Sequence, residues 1–205
     1  MTAFDDLTTE LATDLNKLDQ AASVLFFAAV ASVFLPSYRA WAEVSESQGG
    51  LLLEEALEAG RHYAFFGSVV ENGNVILSQL EANTPDASES AEDAALITIA
   101  QDCWICADIA LRIPLEGYLP GDGAWYVLEP VFQAVSRRLF GVDDVGSEDA
   151  ELLEPGVVSD LRLRQAVAAC REAVSTLKAS RHLTDRDAAR IARILLPLRS
   201  AVQPE

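Results

Sequence analysis

The chain has 205 residues, 32 Asp and Glu against 15 Lys and Arg, a formal net charge of −17 at pH 7, and an apolar share of 50%. That apolar share excludes a disordered acidic tail. A folded chain of this length buries about 70% of the surface its unfolded form exposes, so it needs neither a disulfide framework nor a metal staple.

The charge is unevenly placed. Residues 1–156 hold 27 acidic and 6 basic side chains, a net of −21, and residues 157–205 hold 5 and 9, a net of +4. This field repels nucleic acid from most of the surface and attracts a cationic partner. It also predicts that the basic segment docks on the acidic body. No linker rich in Gly, Ser or Pro separates two halves, so residues 1–205 read as a single helical domain, with an acidic body over 1–156 and a basic C-terminal segment over 157–205.

The first residues, Met1 to Asp6, carry no positive stretch of a secretory signal. Phe4, Leu7, Leu11, Leu15 and Leu18 then make one stripe of an amphipathic helix. The next helix, over 20–34, is apolar all round and belongs at the centre of the fold. Its uncharged run, Ala21 to Leu35, is 15 residues long and ends at Pro36. A membrane-spanning helix needs about 20 residues, so no membrane partner is expected. Pro36 is expected to break this helix, with a shorter one following through Tyr38 and Trp41. Residues 51–82 read as one or two helices interrupted at Gly67 and at Asn72-Gly73-Asn74.

Asn83-Thr84-Pro85-Asp86 is a loop signal, and Ser90 with Asp93 resembles a capping box opening a long helix to about Ile113. A second loop is expected over 114–123, a helix over 125–140, and an unpatterned acidic connector over 143–154. Leu163, Val167, Cys170, Val174 and Leu177 are spaced 4-3-4-3, the seam of a packed helix. That seam fits an internal neighbour or a second copy of the chain, and it leaves a homo-oligomer undecided. Thr184 with Asp187 opens the last helix, in which Ile191, Ile194, Leu195 and Leu198 face inward. No strand alternation runs beyond four residues. The expected fold is all-α, a compact bundle of seven to nine helices.

Few residues point to chemistry. Cys103-Trp104-Ile105-Cys106 is a CxxC, but it falls within a helix and not at its start, where a thiol pKa would be lowered. Both thiols read more simply as small apolar groups. Three cysteines without a framework suit a reducing cytoplasm. Glu54, Glu55, Glu58 and His62 share a helix face only in part and lack the Glu-x-x-His pairs of a di-iron bundle. Gly121-Asp122-Gly123 is a turn and not a phosphate cradle, and the segment around Asp143-Asp144 lacks the ligand pattern of a calcium loop. No metal or other cofactor is expected. Asp108 is placed to pair with Arg112. Asp102 sits among apolar neighbours, and a buried carboxylate is usually paired, here with Arg39 or Arg61 as the expected partner. Arg164, Arg171 and Lys178 on one helix, and Arg186, Arg190 and Arg193 on the last, are expected to meet the acidic body and not phosphates.

The stretch Phe34-Leu35-Pro36-Ser37-Tyr38-Arg39-Ala40-Trp41 resembles the YjaG-like family of bacterial proteins, domain of unknown function 416. The resemblance continues through Leu80-Glu81-Ala82-Asn83-Thr84-Pro85-Asp86 and the Asp102-Cys103 step, and spans about residues 15–180. The family tends to carry Glu-Arg just before the apolar-Pro step, where this chain has Ser32-Val33, so a site built on that pair would be absent. The C-terminal arginine stripes are also heavier than is usual in the family. The resemblance implies a cytoplasmic, all-helical bacterial protein and implies no activity.

Two functions follow as expectations. The first is a non-catalytic interaction module that engages a basic protein partner through its acidic surface. The second is a small-ligand binder or enzyme with an inter-helix pocket around Asp102, for which Tyr38, Trp41, Trp104 and Trp125 are candidate lining residues. The same five residues are also read as packing.

Overall fold

The first helix forms where the sequence supplies its own cap. Thr2 accepts from the Asp5 amide and Asp5 accepts from the Thr2 amide, which opens α1 (Ala3–Leu15). The structure, a computed structural model, describes residues 2–45, 47, 49–85, 94–141 and 150–203. The remaining helices are α2 (Gln20–Val44), α3 (Gly50–Phe66), α4 (Gly73–Ala82), α5 (Ala94–Glu116), α6 (Ala124–Phe140), α7 (Ala150–Ser159), α8 (Leu161–Ala179), α9 (Asp185–Ile194) and α10 (Leu196–Val202), with a 3₁₀ turn over Pro120–Gly123. Only Leu195, itself in a helical conformation, separates α9 from α10, so these two make one bent rod and the described residues hold nine. No strand occurs among them, and the class is all-α as expected.

The centre is the antiparallel pair α2 and α5. Gln20 Nε2 donates to the Ile113 carbonyl at one end, and Cys103 Sγ donates to the Ala31 carbonyl further along, at 2.9 and 3.2 Å. Residues Val24 to Ala31 of α2 are all buried. α3, α4 and α6 pack on α5, while α8, α9 and α10 close over the remaining face of α2. Nearly all the buried apolar side chains of the described residues form one cluster.

Pro36 does not end α2, and Pro114 does not end α5. A proline inside a helix removes one hydrogen bond and costs about 3 kcal/mol. Here Val33, Phe34 and Tyr38 around Pro36, and Ile109 to Ile113 before Pro114, are held by tertiary burial except for Arg112. For most helices in proteins, such packing outweighs local propensity. The uninterrupted α2 has 25 residues, long and apolar enough to cross a membrane, and 72% of its most apolar window is buried inside the fold.

Gly67 takes a left-handed φ of 69° and closes α3, and α4 resumes at Gly73, as the interruption signals predict. Thr184 and Asp187 form the predicted capping box. The Leu163–Leu177 seam is buried within the chain. The acidic connector differs from expectation: its last residues belong to α7, which buries Val157 and Glu154. The Ser90–Asp93 signal and Asp143-Asp144 lie outside the described residues.

Candidate interaction surface

α3 is built from two unlike faces. Leu53, Ala56, Leu57, Gly60 and Ala64 turn inward, and a Cβ placed on Gly60 would meet Val24, Ala28 and Ala110 at ordinary contact distance, 3.6 to 3.8 Å. Small residues therefore let α3 lie close on α2 and α5. The outward row is Leu51, Glu55, Glu58, His62 and Phe66, spaced 4-3-4-4 along one side of the helix. Leu51 and Phe66 are large apolar side chains left 81% and 73% exposed at the two ends of an acidic stretch. Asn72, just before α4, donates to Glu55 Oε1 at 2.9 Å, and His62 packs its ring on Phe66 with centroids 4.9 Å apart. Glu54 beside the row pairs with Arg39, and Arg61 lies 3.7 Å from Glu58. Glu58 stays largely in solvent, so that last contact contributes little.

Asp102 is 3% exposed, and its Oδ2 is enclosed without a hydrogen-bond partner. Burial pushes its carboxyl well above the ordinary carboxylate range, and the nearby Glu129 adds to the rise. Neither expected arginine reaches it: Arg39 pairs with Glu54, and Arg61 donates to Ser32 Oγ at 3.0 Å. Both guanidiniums are held at the α2–α3 surface, whereas Asp102 shares its environment with α6. Asp108 meets Arg112 as its spacing predicts, Nε to Oδ2 at 2.5 Å, and Arg112 also bridges to Glu116 and Glu81.

The aromatic residues singled out with Asp102 fall into two groups. Tyr38 packs at a tilt against both Trp41 of its own helix and Trp104 of α5, with ring centroids 5.5 and 5.6 Å away. Trp104 Nε1 donates to the Leu80 carbonyl at 2.8 Å and pins the C-terminal end of α4. Trp125 lies with Phe4, edge to face at 4.9 Å, and donates to Glu129. Glu129, the hydrogen-bond partner of Trp125, is also the charge that acts on Asp102.

The thiols diverge as well. Cys103 points to α2, Cys106 points toward the Tyr126 carbonyl, and all three cysteines are buried and unbridged. Burial raises each thiol, Cys170 to about 12. Among the described residues, no group of three His, Cys, Asp or Glu side chains is placed to hold a metal ion.

The expected docking of the basic segment on the acidic body holds at Arg171 and Lys178 of α8, and among the described residues not at Arg164 nor on α9. Arg171 pairs with Glu10, and Lys178 approaches Asp14 at 3.7 Å, both across to α1. Arg186, Arg190 and Arg193 project from α9 into solvent without an ion pair among the described residues. α9 lies on α2, α8 and α10; α2 carries no carboxylate until Glu43, and neither Glu172 of α8 nor Asp185 and Asp187 of α9 pairs with this row. The 4-3 spacing of the arginines was legible in the sequence, and so were the acids of α3. The exposure of Leu51 and Phe66 was not, although both fall out of phase with the buried stripe of α3.

No protein-family model and no curated protein matches the chain. Among solved structures, it is similar to the crystal structure of a DUF416 family protein from Shewanella baltica OS155. The two share 19% identity, the match covers 90% of this chain and 92% of that one, and the TM-score is 0.69. The chain therefore has the fold of a DUF416 family protein, the family that its Phe34–Trp41 and Leu80–Asp86 segments resemble.

Proposed function

We propose that the protein is a helical interaction module that binds a basic protein partner through its acidic surface, with the outward row of α3 at the centre. The carrying observation is the make-up of that row, in which exposed carboxylates are flanked by exposed Leu51 and Phe66. Surface charge of one sign steers an oppositely charged partner, and apolar side chains at the contact exclude water from it. Protein-binding patches combine an apolar centre with a polar rim; here the acids occupy the middle and the apolar groups the ends. The row therefore suits an elongated partner, such as a helix with basic residues between two apolar ones.

The test is a pull-down from host lysate at low and high salt, with wild-type bait and a Glu55→Lys/Glu58→Lys bait. The expected result is one stoichiometric basic protein that is released by salt and lost with the double variant. Retention by the variant, or indifference to salt, counts against the α3 row, because exposed attractions are screened beyond about 8–10 Å at physiological ionic strength.

A second reading is a small-ligand binder with an inter-helix pocket around Asp102, and what supports it is the enclosed, unpartnered Oδ2 of that carboxyl. Native mass spectrometry of the purified chain tests it. A small molecule that is bound to wild type and lost from a folded Asp102→Asn variant supports this reading, and an unliganded mass for both opposes it.

A further inference from the structure

A cleft of about 260 Å³ opens between α2, α3 and α9, floored by Leu25 and Ala29 and walled by Arg61 on one side and Ala188, Ala189 and Ala192 on the other. It separates two rows of opposite charge. On the α3 side are Glu54, Glu55 and Glu58, with Arg61 at the cleft itself, and on the α9 side are Arg186, Arg190 and Arg193, with Asp185 at the cleft; the six row residues are all exposed. The arginines repeat at four and three residues, so they stand about 5–6 Å apart along one helix face. They span two turns of α9, about 10 Å.

We propose that the protein forms a two-fold symmetric homodimer in which the acidic row of α3 in one protomer lies along the arginine row of α9 in its partner. This rests on the reading of the α3 row as a binding surface, and it names the arginine row of a second, overall acidic copy of the chain as what that row meets.

Three features favour a second copy. A two-fold interface requires a self-complementary patch, and an acidic row beside a basic row is such a patch: rotation places unlike on unlike twice and leaves neither row unmatched. Among the described residues the three arginines form no ion pair, although Glu172 lies on neighbouring α8 and Asp185 and Asp187 on α9 itself, and the α2 stretch beneath α9 is uncharged. Arginine also suits the contact chemically, since its planar fork matches a carboxylate with two parallel hydrogen bonds. The chain uses arginine almost throughout, with lysine only at positions 17 and 178. Exposed Leu51 and Phe66 at the ends of α3, with the alanines of the cleft wall, supply apolar contact alongside the charges. The net charge of each protomer opposes association, but charges beyond about 8–10 Å are screened at physiological salt and the two rows would be in contact.

The experiment is sedimentation velocity on the full chain at about 50 µM, in salt of about 20 mM and about 500 mM, across which the screening length falls several-fold. Wild type is expected to be a dimer at low salt and to shift toward monomer at high salt. Two charge-reversed proteins carry the decisive arm, Glu55→Lys/Glu58→Lys and Arg186→Glu/Arg190→Glu/Arg193→Glu. Each makes both of its rows alike in sign, and its self-association is expected to weaken about ten-fold or more. Mixed in equal amounts they restore both unlike contacts, and a one-to-one dimer is expected to return. Circular dichroism confirms that each is folded. If the triple reversal does not fold, Arg190→Glu mixed with Glu58→Lys replaces it.

A monomeric wild type at low salt, a mixture that stays monomeric, or open-ended oligomers would each overturn the two-fold arrangement. A monomeric wild type that still captures a salt-sensitive basic protein through Glu55 and Glu58 leaves the α3 reading standing and removes only the dimer. Loss of both removes the two together.

Discussion

The backbone amide of Phe4 donates to Glu154 Oε1 across 150 positions of sequence, at 2.5 Å in a buried setting. Phe4 lies in the first turn of α1, where helical amides lack intrahelical partners, and Glu154 from α7 supplies an acceptor. Replacing Glu154 with Ala leaves that amide buried and unpaired. The expected cost is about 1–3 kcal/mol in urea unfolding, with faster amide exchange in α1. Glu154→Gln keeps an acceptor oxygen and should cost less. Equal losses for Ala and Gln would point to the carboxylate charge in place of the hydrogen bond.

Asp102 should make stability fall as pH rises. Burial lifts its folded pKa above the ordinary value of 3.8, so the folded state holds the proton more tightly than the unfolded chain. Its contribution is fully present below that value and is lost as pH climbs toward the folded pKa. Asp102→Asn removes the titration and should be more stable than wild type at pH 8. For a chain of this length, each kcal/mol is about 2–4 °C in Tm. The gain should shrink towards pH 4. A Tm difference that does not vary with pH would show that Asp102 is not held neutral by the fold.

The three thiols should be silent toward a thiol reagent in the native state. Cys103, Cys106 and Cys170 are buried, and burial holds all three pKa values above the ordinary thiol range, which suppresses the reactive thiolate. With Ellman's reagent at pH 8, no thiol should react within minutes, and all should react after denaturation. Rapid labelling of one or two thiols would reopen redox chemistry at the CxxC.

What the sequence made legible was local. The Thr184–Asp187 box, the Gly67 stop and the seam of α8 each depend on residues within a few turns, and each stands where the pattern puts it. The errors came from distant neighbours. Pro36 and Pro114 carry strong breaking signals, yet both helices run on because their flanks are packed in the core. α7 hides in an acidic stretch because part of its anchoring, Glu154 on the Phe4 amide, comes from α1. The candidate surface divides in the same way. Spacing along α3 placed Glu55, Glu58 and His62 together, but only the folded chain shows Leu51 and Phe66 left outside. Arginine spacing on α9 was plain, whereas the lack of an ion pair to that row among the described residues depends on how the neighbouring helices lie.

The pairing of α2 with α5 also sets the order of events during synthesis. About 70 residues separate the end of one helix from the completion of the other, so at about 5–20 residues per second a finished α2 waits roughly 4–14 s for its main neighbour. α3 emerges in the interval and covers one side. The other flank of α2, with Phe26, Phe27 and Phe34 on this helix, stays without α5 until translation passes Glu116. The nascent chain is thus at its stickiest in mid-synthesis, which makes that window the time when a chaperone is most needed.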